Sequence, residues 1–443
     1  MIKREFKLVI PPMRILLLNQ CFYPDVVATA QHLTDLAVGL VERGHQVTVL
    51  ASRRGYDDPA RRFCGRETWR GIDIIRIPSL GLGKANKWLR CLDFASYLLI
   101  CFVRLMFLPR QDLTLALTSP PLISFFGALF VRLRGGRFCF WVMDLNPDEG
   151  IELGWVREKS PVARLLQAFL KYSLRCSDRV VVLDRFMRER IISKGTPAER
   201  ITVLPPWSHD EEIRYDEAGR EAFRDAHGLN QKFVVMYSGN HSACHPLDTL
   251  LTAALTLRSD ERVVFSFVGG GSEFQKVKDF ARNNSLSNIR CLPYQPRSQL
   301  AASLSAADLH VVIMGDRFKG LVHPCKVYNI VAVGAPFLYI GPEESHVADL
   351  LQEYDKEISA RSVRHGEVEE VVQHIEAAAA TAPARISASQ EVNFSFSSRS
   401  LLPRMIATLE HMTENARESR LRDLRLGDGR MEKMRLGDSK PRD

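Results

Sequence analysis

One arrangement constrains the fold more than any other: a buried strand, a loop, an amphipathic helix and a second buried strand, met first from Arg14 and again from Phe233. Arg14-Ile15-Leu16-Leu17-Leu18 reads as the opening strand. After the loop Asn19 to Ala28, the residues Leu33, Leu36, Ala37, Leu40 and Val41 fall at i, i+3, i+4, i+7 and i+8, a spacing that gathers them on one face of a helix. Gly44 suits the helix C-terminus, where a left-handed conformation is wanted, and Val47-Thr48-Val49-Leu50 is the next strand. The plan restarts at Phe233-Val234-Val235-Met236-Tyr237, passes through Gly239, repeats the helical offsets at Leu247, Leu250, Leu251, Ala254 and Leu255, and returns to a strand at Val263 to Val268. Apolar strands alternating with helices predict parallel sheets covered on both faces. Further strands are read at 179–183, 309–313 and 337–340. The fold class expected is α/β, two doubly wound Rossmann-like domains facing a central cleft, with a C-terminal helix.

A length of 443 residues is enough for two domains with substantial cores. Leu204-Pro205-Pro206-Trp207 breaks regular structure, so the N-terminal domain is expected over 13–205, a linker over 206–231 and the C-terminal domain over 232–396. A helix over 397–418 precedes a mobile, charged tail over 419–443, in which Arg-Leu-Gly-Asp occurs at 425–428 and again at 435–438. The fold-like pattern starts only at Met13, which makes Met13 an alternative start. The first residues lack the apolar core of a secretory signal. Nine scattered cysteines without a C-x-x-C pair point to a reducing, cytoplasmic location and away from zinc ribbons.

The net charge of +8 favours anionic partners. Its dispersal along the chain argues against nucleic acid, which calls for clustered Lys and Arg with interleaved aromatics. The apolar stretch Leu89 to Leu108 carries Asp93 and Arg104 and is flanked by Lys84, Lys87, Arg90 and Arg110. It is too short and too charged for a membrane span, and is expected as an interfacial or buried helix.

In doubly wound sheets ligands bind beyond the carboxyl ends of the strands. The loop after the first strand contains no glycine, and Gly269-Gly270-Gly271 is followed by Phe274 where a dinucleotide fingerprint needs a third glycine, so hydride-transfer chemistry is not indicated. Asp144 ends the apolar run Phe138 to Met143 and should point into the cleft. It is the leading candidate for an acid/base or acceptor-positioning group, with Asp148 and Glu149 behind it.

Several stretches together resemble a family 4 glycosyltransferase of the two-domain GT-B fold over roughly 13–415. They are Asn19-Gln20-Cys21-Phe22-Tyr23-Pro24-Asp25 before a helix that leads into Glu42-Arg43-Gly44-His45-Gln46-Val47-Thr48-Val49, then Asp144-Leu145-Asn146-Pro147-Asp148, then Tyr237-Ser238-Gly239-Asn240, and last Gly320 to Asn329 running into Gly334-Ala335-Pro336. The resemblance is greatest to enzymes that build colanic acid, O-antigen and other surface polysaccharides. It implies retaining transfer of a sugar from a nucleoside diphosphate donor, UDP first among them, to a hydroxyl of a lipid-linked or polysaccharide acceptor. The second domain would hold the donor, without metal or cofactor, and the donor phosphate itself would take the acceptor proton. The protein would work in the cytoplasm, peripheral on the inner membrane face.

Residue by residue, the resemblance places Asn240 and His245 where the family has an Arg and a Lys for the phosphates, with His241 beside them. Leu321 and Asn329 stand at the two Glu positions of its usual Glu-x7-Glu motif. Pro324-Cys325-Lys326 matches the Pro-Ser-Lys variant, making Lys326, at a helix start, a donor ligand. Gly239 and Gly270 would turn close to the donor, and Tyr294 would line the base pocket. Val27 and Ala28 stand for a phosphate-approaching Gly-Gly pair. The alternatives are a nucleotide-sugar epimerase of the same fold or an inactive partner protein.

Overall fold

The computed structural model describes residues 11–56, 60–80, 87–208, 213–381 and 390–414. The residues before 11 and the tail 419–443 lie outside that set. Two sheets carry the architecture. The first holds β1 (Arg14–Leu18), β2 (Gln46–Ser52), β3 (Arg66–Trp69), β4 (Ile72–Ile77), β5 (Leu113–Ala116), β6 (Arg137–Trp141), β7 (Arg179–Val182) and β8 (Ile201–Val203) in the order β3-β4-β2-β1-β5-β6-β7-β8. The second holds β9 (Phe233–Asn240), β10 (Val263–Gly270), β11 (Ile289–Leu292), β12 (Leu309–Ile313), β13 (Phe337–Ile340) and β14 (Ala360–Val363) in the order β11-β10-β9-β12-β13-β14. All pairs are parallel except β3 with β4.

The topology fixes where a ligand can go. In each sheet the order reverses beside the first strand, between β1 and β5 and between β9 and β12, and loops leaving a reversal in opposite directions leave a crevice at the strand ends. The Asn240 to His245 loop, which follows β9, borders the second crevice. Burial follows from the sequence: Ile15 to Leu18 and Val234 to Tyr237 are covered on both faces, as central parallel strands must be.

The two halves are joined at a double crossing. Ser208 N–H donates to the Phe396 carbonyl at 2.7 Å and Ser398 N–H to the Ser208 carbonyl at 3.1 Å, so outgoing and returning chain pair with each other. The returning helix is described over 398–414, within the 397–418 expected. It buries Leu401, Met405, Ile406, Leu409 and Met412 in the core of the first sheet. Gly39 admits it, since a Cβ there would lie 2.8 Å from the Ile406 Cδ1. Its buried Glu410 accepts from Arg43 at 2.8 Å and faces His45 Nε2 at 3.0 Å. The 206–231 segment, expected as a connection, contains the helix Glu217–Ala226. That helix is held to the second sheet by Arg220 and Arg224 on Asp308.

The apolar stretch 89–108 forms the helix Lys87–Met106. Tyr97, Leu98, Cys101 and Leu105 face the core, and Phe102 packs on Phe126 with ring centroids 5.6 Å apart. Leu92, Leu99 and Val103 face outward, Leu99 being 64% exposed, and Phe107 just beyond the helix is 78% exposed.

Candidate functional site

The site is built on the seam between the halves. After β6, Val142 N–H still pairs with the Val181 carbonyl at 2.8 Å, and Leu145 N–H crosses to the Leu321 carbonyl of the other half at 2.8 Å. Asp144 is thereby held at the seam. The short helix Asp148–Glu152 follows, and from it Glu149 accepts from the Asn146 side chain at 3.1 Å and from the Cys244 thiol, across the seam, at 3.5 Å. Burial, together with the nearby Glu149 carboxylate, lifts Asp144 to about 8. That shift favours the protonated carboxyl at neutral pH.

On the opposite wall, β9 ends in Tyr237, Ser238, Gly239 and Asn240, and the helix Lys326–Ala332 stands against it. The Lys326 ammonium lies 3.6 Å from the centre of the Tyr237 ring. Gly239 has a φ of +132°, and a Cβ there would sit 3.3 Å from Lys326 Nζ, so glycine serves both the turn and the approach. Lys326 Nζ is buried without a hydrogen-bond partner. Burial lowers it to about 7, because taking an ammonium out of bulk solvent disfavours its charged form.

The two histidines lie around this lysine and are neutral. His245 is lowered to about 3 by burial and by Lys326. His241 is fully buried against Tyr237 and Phe274, each with ring centroids 4.8 Å away. It is lowered to about 4, again by burial first and Lys326 second. Its ring nitrogens make no hydrogen bond of good geometry, although the Gly270 and Gly239 carbonyls lie close enough to favour its charged form. Burial beside Lys326 disfavours the charged form of both imidazoles, and His241 packs within an aromatic cage of Tyr237 and Phe274. Lys326 is left to supply the positive charge at this wall.

The glycine-rich turn after β10 completes the wall. A Cβ on Gly270 would meet the Tyr294 ring at 3.0 Å, and one on Gly271 would meet Asn240 Oδ1 at 2.4 Å. Tyr294 is 45% exposed, and its hydroxyl donates to the Gly270 carbonyl at 3.3 Å. Asn329 lies one turn along the helix from Lys326 and is half-buried.

The structure thus gathers Gly239, Asn240, His241, His245, Gly270, Tyr294 and Lys326 on one wall of the second half, with Asn329 one turn along the helix from Lys326 and Asp144 at the seam near Cys244 and Cys325. Val27 and Ala28 lie on the other sheet, at the start of the helix Ala28–Glu42, where Val27 has no side-chain cap. Asp148, expected to serve the acceptor or phosphates, is held by Lys194 at 2.7 Å, which Gln167 also engages. One of its oxygens is thus in an ion pair, while Oδ2 is buried without a hydrogen-bond partner. Two pairings had no local sequence signal: Glu149 with Cys244, and Asp184 with His323. Both join residues far apart in the chain, and only the topology of two opposed sheets brings them together.

A model of the glycosyl transferase 4-like domain matches residues 28–207. The chain is 27% identical over 335 residues to the putative colanic acid biosynthesis glycosyl transferase WcaI of Escherichia coli K12, spanning 73% of this chain and 82% of that protein. Residues 28–207 are thus a glycosyl transferase 4-like domain. This glycosyltransferase shares its architecture with solved structures of low identity. The Anabaena protein HepE, solved with UDP and glucose, has a TM-score of 0.65 at 14% identity over 90% of this chain and 99% of that one. WaaG, a glycosyltransferase involved in lipopolysaccharide biosynthesis, also has a TM-score of 0.65 at 14% identity, over 89% and 99% of the two chains. The GT-B fold of the glycosyltransferase follows from these, and its two sheets are the two Rossmann-like halves of that fold.

Proposed function

We propose that the protein transfers a hexosyl group, with retention of anomeric configuration, from a uridine diphosphate sugar to a hydroxyl of a lipid-linked or polysaccharide acceptor during surface glycan assembly. The observation that carries this reading is Lys326: a buried ammonium with no hydrogen-bond partner, over the Tyr237 ring, at a crevice where doubly wound sheets bind ligands. The departing diphosphate is the group such a cation suits, because charge develops on it as the glycosidic bond breaks. The Tyr294 ring and the open backbone at Gly239 and Gly270 suit a base and its phosphates. Across the seam, protonated Asp144 suits a hydroxyl of acceptor or sugar. WcaI supports a place in polysaccharide biosynthesis and HepE supports UDP as the donor nucleotide.

The reading is tested by thermal shift in chelator-treated buffer with UDP-, GDP-, dTDP- and ADP-sugars. A ligand at 100 times its Kd stabilises by about 2.7 kcal/mol. UDP-sugars should raise the midpoint of the wild type and that of Lys326→Met by no more than about a third as much. No shift with any nucleotide overturns the donor site, and release of free epimer from donor alone replaces transfer by epimerisation.

The same reading includes peripheral membrane association on the cytoplasmic face. Among the described residues no helix is long and apolar enough to cross a membrane. The helix Lys87–Met106 nevertheless carries an outward apolar stripe, Leu92, Leu99 and Val103, that continues into Phe107, with exposed Arg104 beside it. Arg134 donates to the Met106 carbonyl and so brings exposed Leu133 and Arg132 to the same end. An apolar stripe with a cationic rim suits an anionic bilayer surface. Changing Leu99, Val103 and Phe107 to Ser should release the protein from anionic vesicles in a sedimentation assay, with the unfolding midpoint preserved. Phe102, packed on Phe126, is left alone, since its loss would cost core packing.

A further inference from the structure

A line of buried polar and aromatic side chains lies along the helix Lys326–Ala332. Asp184 follows β7 and caps the helix Arg185–Ser193, one oxygen accepting the Met187 N–H at 2.8 Å. Its other oxygen is 2.8 Å from His323 Nδ1, and His323 Nε2 is 2.8 Å from the Tyr328 hydroxyl. Asp184 belongs to the first half and His323 and Tyr328 to the second. Tyr328 sits two positions beyond Lys326 on the same helix. The Tyr328 ring stacks on Phe396 with centroids 4.8 Å apart, and Phe396 accepts the Ser208 N–H at the double crossing. The line therefore links the first half, the lysine-bearing helix and the point where the chain passes between the halves.

By residue type Asp184, His323 and His346 could hold a cation, with ligand atoms within 4.8 Å of one another. Their geometry points elsewhere. The His323 and His346 rings are stacked, with centroids 3.7 Å apart and planes 24° apart. Imidazole lone pairs lie in the ring plane, so two rings stacked in this way cannot both aim at one ion. His323 also has both nitrogens engaged. A carboxylate at Nδ1 keeps the proton there and leaves Nε2 as an acceptor, into which the Tyr328 hydroxyl donates. That bond fixes the rotation of the Tyr328 ring, and with it the setting of the helix.

We propose that Asp184, His323 and Tyr328 are positioning residues for sugar transfer, tying the placement of Lys326 to the relative position of the two halves. The proposal rests on Lys326 as a donor ligand. The cation meets the diphosphate only while the first half, through Asp184, holds the helix in place. Misplacement of a binding group by about 1 Å costs up to about 100-fold in rate, so a loosened helix is readily measured.

The test uses the full chain and the variants Tyr328→Phe, which keeps the stacked ring and loses the hydroxyl, and Asp184→Asn, which keeps a helix cap. Steady-state rates are measured against varied UDP-sugar and varied acceptor, and hydrogen exchange is followed at the amides of 326–332. Both variants should raise the donor KM about tenfold, leave kcat and acceptor KM within about twofold, and speed exchange at 326–332 but not in β9. Unchanged exchange and unchanged donor KM in both variants would overturn the proposal. So would an equal loss in all rate constants tracking the unfolded fraction, which marks a purely structural role. Lys326→Met runs alongside: a wild-type donor KM there refutes the donor-site reading, while the exchange data still judge the coupling.

Discussion

Replacing Lys326 by methionine is expected to stabilise the folded chain and to destroy its grip on the donor in one step. The ammonium is held at about 7 because burial takes it out of bulk solvent. An unfolded lysine titrates near 10.4, so between about pH 7 and pH 10 the unfolded chain binds the extra proton. Stability tied to this residue therefore rises with pH across that window. Below it the full cost of the buried charge remains, and removal should gain a few kcal/mol, roughly 2 to 4 once relaxation and residual solvent are allowed for. Methionine keeps the unbranched shape and a favourable contact with the Tyr237 ring. The midpoint of the variant should exceed wild type by several degrees at pH 6.5, with the gap closing by about pH 10. The Kd for a nucleoside diphosphate should rise by about 30-fold or more, as when one partner of a desolvated charged contact is lost. Proton uptake separates this from a repacking effect. At pH 8 a diphosphate reaching wild type recharges Lys326, so calorimetry in buffers of different ionisation enthalpy should show close to one proton taken up, and none in the variant. A destabilised variant that still binds with uptake would refute the assignment.

Much of the fold was legible because central parallel strands are buried on both faces and leave unbroken apolar runs. β1, β2, β9, β10, β12 and β13 were read close to their observed limits. The edge strands were not. β3 alternates half-buried and exposed residues, and β14 is largely exposed at Arg361 and Ser362, so their pairing comes from the neighbouring strand and not from a local hydrophobic signal. The helix Glu217–Ala226 was lost inside a polar stretch because its anchors, Arg220 and Arg224, look like solvent-facing charges until Asp308 is in place. The strand ends and the Pro324-Cys325-Lys326 match led to the candidate site. Its electrostatics were not, since a histidine such as His245 reads as a titratable cation until the structure buries it beside a lysine. The Asp184, His323 and Tyr328 line spans both halves, and no spacing in the sequence announces it.

Asp144 gives the second large effect, and its sign depends on which protonation state works. The carboxyl titrates at about 8 because it is desolvated and faces Glu149. In the retaining scheme proposed for this enzyme the donor phosphate accepts the proton of the incoming hydroxyl, so Asp144 is not needed as a base. It serves instead as a neutral donor that orients a hydroxyl at the seam. Asp144→Asn retains a neutral donor of the same shape and should keep kcat/KM within about tenfold, whereas Asp144→Ala should lose about 100-fold or more, the lower range for a positioned proton-bearing group. The pH profile adds a second criterion. For wild type kcat/KM should decline above neutrality through two groups of the free enzyme, Lys326 near 7 and Asp144 near 8. In Asp144→Asn the decline near 8 should vanish while that near 7 stays, since Lys326 is untouched. An Asp144→Asn variant as inactive as Asp144→Ala, with wild-type activity climbing through pH 8, would instead make Asp144 the base and return proton abstraction from the donor phosphate to this side chain.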